Sequence, residues 1–221
     1  GAISMSQLEH YQREFIEYAI QSGVLRFGEF RLKSGRVSPY FFNTGLFDSG
    51  KQLSKLGKFY ARAMRHAGII TNVLYGPAYK GIPLVSATSI ALAEEYEVDL
   101  PFTFNRKEVK NHGEGGTLVG AVLTGSVLIL DDVITAGTSV RESVEIIRQA
   151  GAQPCGVLIA LDRQERGQQP VSAVTEVSTE FEMPVYSIIK LEHIIEYLNH
   201  ETSFSEELVT IKRYYSQYGC P

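Results

Sequence analysis

The sequence predicts an α/β chain with a central parallel sheet flanked by helices. Three observations lead there. From residue 73 onward, short apolar runs alternate with longer stretches of helical periodicity, the pattern of strand–helix units. Runs such as Val127–Leu130 and Gly156–Leu161 are almost wholly apolar and read as buried strands. Glycine or proline punctuates the junctions, at Gly23, Gly68, Gly76-Pro77 and Gly151. With 221 residues, 44% of them apolar and 21% charged, the chain fits one domain plus a small appendage and can bury a full core.

In order, residues 7–22 carry Leu8, Tyr11, Phe15 and Ala19 at helical spacing before Gly23. Residues 24–44 are rich in aromatic and β-forming side chains, broken by Lys33-Ser-Gly-Arg36 and again by Pro39. They read as two short strands around a basic turn. Residues 51–67 place Leu53, Leu56, Tyr60, Ala63, Met64 and Ala67 on one helical face. A strand is expected at 73–75, a helix at 82–96 and a strand at 100–104, followed by a polar, glycine-rich segment over 106–120. A strand at 127–130 with its helix at 138–150, strands at 156–161 and 185–189, and helices at 190–199 and 205–217 complete the chain. No internal repeat or low-complexity segment is present.

The most informative stretch is Val127-Leu-Ile-Leu-Asp-Asp-Val-Ile-Thr-Ala-Gly-Thr-Ser139. A buried strand ends in two carboxylates, a short turn follows, and a helix opens. Carboxylates can hold hydroxyls, and the free amides and positive dipole end of a helix can hold an anion. Gly137 lets the backbone approach a ligand closely, while Thr135, Thr138 and Ser139 add hydroxyls. A sugar phosphate satisfies both halves. In open α/β sheets ligands sit beyond the carboxyl ends of the strands. Four strand ends here are polar: Tyr79-Lys80, Asn105-Arg106-Lys107, Asp131-Asp132 and Asp162-Arg163. A parallel sheet would gather them on one rim.

Segment 106–120 holds Arg106, Lys107, Lys110 and His112 beside only Glu108 and Glu114, among Gly113, Gly115, Gly116 and Gly120. Cations on a glycine-rich segment point to a flexible lid over a highly charged anion. His112 alone among the five histidines has such a setting. His10, His66, His193 and His200 fall on predicted helices without a partner pattern and read as surface or packing residues. A Phe41-Phe42 pair is more often core than ligand platform.

Several classes are excluded. A net charge of −4 does not suit a general nucleic-acid binder. No stretch reaches the roughly 18 apolar residues of a membrane span. Gly45-Leu-Phe-Asp-Ser-Gly-Lys51 has P-loop spacing, but Gln52 stands where the magnesium-binding hydroxyl belongs. The glycines after residue 112 miss the dinucleotide fingerprint because Leu118 occupies its last position. Cys155 and Cys220 have no metal-ligand spacing, Cys155 reads as a buried thiol, and a reduced, cytoplasmic protein is expected. Gly-Ala-Ile-Ser before Met5 lacks the features of a signal peptide and reads as a cloning remnant.

The 127–139 string resembles the 5-phosphoribosyl 1-pyrophosphate (PRPP) signature of type I phosphoribosyltransferases. Phe27–Gly35, Ser38–Asn43, Tyr75–Ile82, Phe104–Gly116 and Leu161–Gly167 resemble the orotate phosphoribosyltransferase family, and the likeness covers essentially the whole chain after the leader. It implies transfer of phosphoribose from PRPP to orotate with Mg²⁺, giving orotidine 5′-monophosphate and pyrophosphate in pyrimidine biosynthesis. It implies a single domain over 5–221, with a hood largely from 5–45 and a flexible catalytic loop. Asp131 and Asp132 would hold the ribose hydroxyls, and Val133, Ile134, Thr135, Ala136, Gly137, Thr138 and Ser139 would line the 5′-phosphate turn. Tyr79, Lys80, Arg106, Lys110 and His112 would bind the pyrophosphate side, joined by Lys107 from the other subunit of a homodimer. Catalysis would fall to Lys107, Lys110, His112, Asp131 and Asp132. Lys33 would reach both PRPP and orotate, and Phe41, Phe42, Thr135 and Arg163 would surround the base. Mg²⁺ would be held mainly through PRPP. A PRPP-sensing regulator on the same fold would need a nucleic-acid-binding surface, and neither a basic patch nor an added domain is visible.

Overall fold

Helix α1 (His10–Gln21) starts at a capping box between Glu9 and Gln12, with the Glu9 amide donating to Gln12 Oε1 at 2.9 Å. The structure is a computed structural model describing residues 7–108 and 117–221, so the leader lies outside the described residues. Strands β1 (Leu25–Arg31) and β2 (Val37–Phe42) pair antiparallel as a separate two-stranded sheet. Pro39 lies inside β2 instead of ending it, which a strand with only one partner tolerates. Of residues 5–45, α1 buries Phe15, Ile16 and Ala19 in the main core, and only the hairpin forms a sheet of its own.

Helix α2 (Gly50–His66) is capped by Ser49, whose hydroxyl accepts from the Gln52 amide at 3.3 Å. A 3-10 turn over Thr44–Leu46 precedes it, not a strand of the main sheet, so the P-loop-like spacing is not in a P-loop context. The chain then runs β3 (Val73–Gly76), α3 (Gly81–Tyr96), β4 (Phe102–Asn105), β5 (Leu118–Gly120), β6 (Ser126–Leu130) and α4 (Thr138–Gln149). It ends with β7 (Gln153–Asp162), α5 (Ala173–Phe181), β8 (Val185–Lys190), α6 (Leu191–Asn199) and α7 (Ser205–Tyr218).

The main sheet has the order β5-β4-β3-β6-β7-β8, parallel except for β5, which pairs antiparallel with β4. The expected parallel sheet therefore carries one antiparallel edge strand. Its three residues, Leu118 to Gly120, are too few to show alternation. Helix α5 was likewise not foreseen. Four of its nine residues are β-branched, which lowers helix propensity, and its stripe of Val174, Val177 and Phe181 on the second core is short.

Side chains alternate cleanly across the sheet. Leu74, Leu128, Leu130, Leu158 and Ala160 join the core shared with α1, α2, α3 and α6. Val73, Tyr75, Val127, Ile129, Val157 and Ile159 face a second core with Val140 and Val144 of α4 and Val177 of α5. Both faces are covered, which explains the unbroken apolar runs. Strand order reverses between β3 and β6, because β4 and β5 lie beyond β3 while β7 and β8 lie beyond β6. That reversal opens a crevice at the carboxyl ends of β3 and β6.

Candidate active site

At the end of β6, Asp131 and Asp132 are both buried, and their backbone is fixed from two sides. The Asp131 amide donates to the Leu158 carbonyl at 3.1 Å, and the Ala160 amide donates to the Asp132 carbonyl at 2.8 Å. From α2, the fully buried Tyr60 hydroxyl donates to the Asp131 carbonyl at 2.7 Å. Burial, and secondarily the neighbouring charge of Asp132, pushes the Asp131 carboxyl up to about 7. Across the crevice, Lys80 Nζ stands 3.5 Å from Asp132 Oδ2. That lysine side chain is 74% exposed, so the pair contributes little to stability and leaves an ammonium group free to meet an anion.

After the acids, Val133 and Ile134 anchor the turn in opposite cores. Thr135, Ala136, Thr138 and Ser139 are exposed, whereas Gly137 is buried. Gly137 has φ of 79°, and a Cβ there would meet Arg141 Nη1 and Val177 Cγ2, each at 2.9 Å. Glycine is thus required both for the left-handed backbone and for space at the start of α4. The turn is an open cradle with helix amides behind it.

Three of the four expected strand ends meet directly. Asn105 Oδ1 accepts from the Ala78 amide at 2.6 Å, tying the end of β4 to the loop after β3. Lys107 Nζ lies 5.2 Å from the centroid of the Tyr79 ring of its own chain. The Arg106 amide donates to the Thr117 carbonyl at 2.6 Å, closing a neck where the chain leaves and re-enters β4 and β5. Lys110 and His112 lie outside the described residues.

This arrangement of buried carboxylates, an anion cradle and opposed cations at the switch point has known counterparts. The model of the phosphoribosyl transferase domain matches residues 46–189. An orotate phosphoribosyltransferase of Pseudomonas aeruginosa is 59% identical over 212 residues, covering 96% of this chain and all of that protein. One from Methylococcus capsulatus is 60% identical, covering 96% and 99%. The chain belongs to the orotate phosphoribosyltransferase family. The crystal structure of the Francisella tularensis orotate phosphoribosyltransferase superposes with a TM-score of 0.86 at 43% identity, covering 93% of this chain and 99% of that one.

Within this family member, the residues expected around the base are more dispersed. Lys33 is exposed on the hairpin turn and makes no hydrogen bond or ion pair among the described residues. Phe41 and Phe42 are adjacent on β2, so their side chains take opposite faces. Phe42 packs 6.3 Å from Phe15 on the core side, whereas Phe41 lies 5.5 Å from Phe30 with Arg26 4.6 Å above its ring. Arg163, the fourth strand end, turns toward β2. Its Nη2 donates to Ser38 Oγ at 3.0 Å, and its guanidinium covers the Tyr40 ring at 4.1 Å.

The histidines outside the site lie on the surface or in the packing as expected, but three of them have polar partners. His10 pairs with Glu14 and His200 with Glu196, each at 2.7 Å, and His193 Nδ1 accepts from the Lys190 amide at 2.8 Å. The i,i+4 spacing of the first two pairs was present in the sequence. Burial lowers His193 to about 4, so it is neutral and structural. Cys155 is half-buried, its thiol 3.7 Å from Thr71 Oγ1. Sequence reasoning missed Tyr60, read only as part of an apolar face, although a buried tyrosine hydroxyl normally finds a partner. Tyr60→Phe should leave the Asp131 carbonyl short of a donor and lower stability by about 1–2 kcal/mol. Urea unfolding checks this; an unchanged midpoint would count against the anchor.

Proposed function

We propose that this enzyme transfers the 5-phosphoribosyl group of PRPP to orotate, producing orotidine 5′-monophosphate and pyrophosphate in pyrimidine biosynthesis. One observation carries the reading: two buried carboxylates face a glycine-built anion cradle and the Lys80 ammonium across a single crevice. In this reading Asp131 and Asp132 hold the ribose hydroxyls and residues 133–139 hold the 5′-phosphate. Tyr79, Lys80, Arg106, Lys110 and His112 bind the pyrophosphate side, and Lys107 does so from the second subunit of a homodimer. Lys33, Phe41, Phe42, Thr135 and Arg163 surround orotate, a planar anion whose carboxylate suits a guanidinium.

Among the described residues no cluster of three or more potential metal ligands exists. Two adjacent carboxylates fit a magnesium ion that keeps water and substrate oxygens as its other ligands. Mg²⁺ would supply charge neutralisation on the pyrophosphate. The protein's own contribution begins with position. Asp131 and Asp132 fix the ribose so that its anomeric carbon faces the base. As the bond to pyrophosphate breaks, the sugar gains oxocarbenium character, as in glycoside cleavage. Cations around the leaving group stabilise the charge it acquires. No acid is needed to protonate it, because pyrophosphate departs as an anion. Among the described residues no helix is long and apolar enough to cross a membrane.

The direct test is ultraviolet loss of orotate on adding protein, PRPP and Mg²⁺, with uracil and hypoxanthine as controls. Consumption of hypoxanthine in place of orotate would overturn the base assignment. Binding should also move a proton. Ribose hydroxyls and nearby cations favour the charged form of Asp131, so PRPP lowers its pKa from about 7. Calorimetry at pH 7 in buffers of different ionisation enthalpy should show net proton release, and affinity should rise with pH through 7. Proton uptake would contradict this.

A further inference from the structure

The turn after β7 contains a carboxylate that the reading above leaves without a task. Glu165 Oε1 accepts from Arg163 Nε at 2.5 Å. Its Oε2 accepts from Arg36 Nη1 at 3.3 Å and from the Tyr214 hydroxyl. These partners come from three separate elements: the β7 turn, the entry to β2, and α7. The Glu165 side chain is only 11% exposed, Arg36 19% and Arg163 20%, so the cluster is poorly screened.

We propose that Glu165 is a positioning residue for the base, holding Arg163 so that its free end is presented to the carboxylate of orotate. The inference rests on the reading of Arg163 as an orotate ligand. A guanidinium has five donors in a rigid fork. Glu165 takes the Nε donor and Ser38 takes one on Nη2, while Tyr40 covers one face of the plane. Among the described residues no hydrogen bond ends on Nη1. Rotation of the fork is thereby removed before substrate arrives, and the end left open is the one a carboxylate can approach. Charge agrees with this. Arg36, Arg163 and Glu165 together carry one net positive charge, which one carboxylate neutralises. A neutral pyrimidine would leave it unanswered.

Position also couples to the fold. Arg36 donates to the Arg166 carbonyl at 2.8 Å and lies 4.0 Å from the Tyr218 ring, and the Arg166 amide donates to the Tyr218 carbonyl at 2.9 Å. The hairpin and the last helix therefore brace the same carboxylate.

The test is steady-state kinetics of the full chain with Glu165→Gln, Arg163→Met and Tyr214→Phe, titrating orotate and PRPP separately. Glu165→Gln keeps the shape and removes the charge. It should raise the KM for orotate about tenfold, the effect of weakening one charge-assisted hydrogen bond, with kcat and the KM for PRPP within about twofold of wild type. Tyr214→Phe, which keeps the Glu165–Arg163 bond, should change the KM for orotate much less. If Arg163→Met raises the orotate KM and Glu165→Gln does not, the proposal fails while the reading of Arg163 stands. If neither variant raises it, the reading of Arg163 fails too. An equal rise in both KM values with Glu165→Gln would mark a purely structural role and also overturn the proposal.

Discussion

Lys107→Ala is expected to lower kcat roughly 100-fold, about 3 kcal/mol of barrier, the scale for one lost preorganised group that stabilises developing charge. KM values should move little, because the pyrophosphate gains most of its charge only as the bond breaks. Near-wild-type turnover would remove this lysine from the mechanism. The same variant tests the shared site. In a symmetric dimer with Lys107 supplied in trans, mixing Lys107→Ala with Asp131→Asn gives mixed dimers with one complete site of two. Random exchange makes half the dimers mixed, so about a quarter of wild-type activity should return. No recovery after confirmed exchange would mean that Lys107 serves its own subunit, where its ammonium lies over Tyr79.

Gly76→Ala should be similarly severe for a different reason. A Cβ at Gly76 would stand 2.2 Å from the Gly81 carbonyl oxygen and 2.9 Å from Val85 Cβ. Gly81 is as restricted, since its Cβ would meet Pro77 Cδ at 2.7 Å and the Gly76 carbonyl carbon at 2.8 Å. Two glycines let the chain leave β3 and enter α3 within five residues, placing Tyr79 and Lys80 beside the acids. No flexible side chain can yield, so the backbone must shift, at about 3 kcal/mol or more of stability. A displacement of about 1 Å at Lys80 can lower kcat/KM about 100-fold. Gly50→Ala is the control, since its Cβ meets nothing within 4 Å. Denaturation and kinetics of both variants check the prediction, and a Gly76→Ala enzyme of normal stability and rate would refute it.

Both effects fall on a part of the molecule that was largely legible in the sequence. Continuous apolar runs gave the strands, and strand ends on a parallel sheet gave the rim where Lys80, Asn105 and Asp132 meet. Less legible was whatever depends on short elements or distant partners. Strand β5 is three residues long, and α5 has nine residues with only a short stripe of Val174, Val177 and Phe181. Tyr60 and Asp131 are 71 positions apart, and Ser38 and Arg163 are 125 apart. No local period encodes such pairs. Phe41 and Phe42 add a point of strand geometry. Adjacency in sequence made them a pair, while the pleat of a strand sends them to different faces.

The neck formed by Arg106 and Thr117 has a practical consequence. The sheet already holds the two ends of the intervening segment together, so lengthening that segment adds little closure entropy, about 0.6 kcal/mol for each doubling. The chain contains no tryptophan. A single tryptophan inserted between Arg106 and Thr117 would therefore be a unique fluorescent reporter that costs the fold little closure entropy.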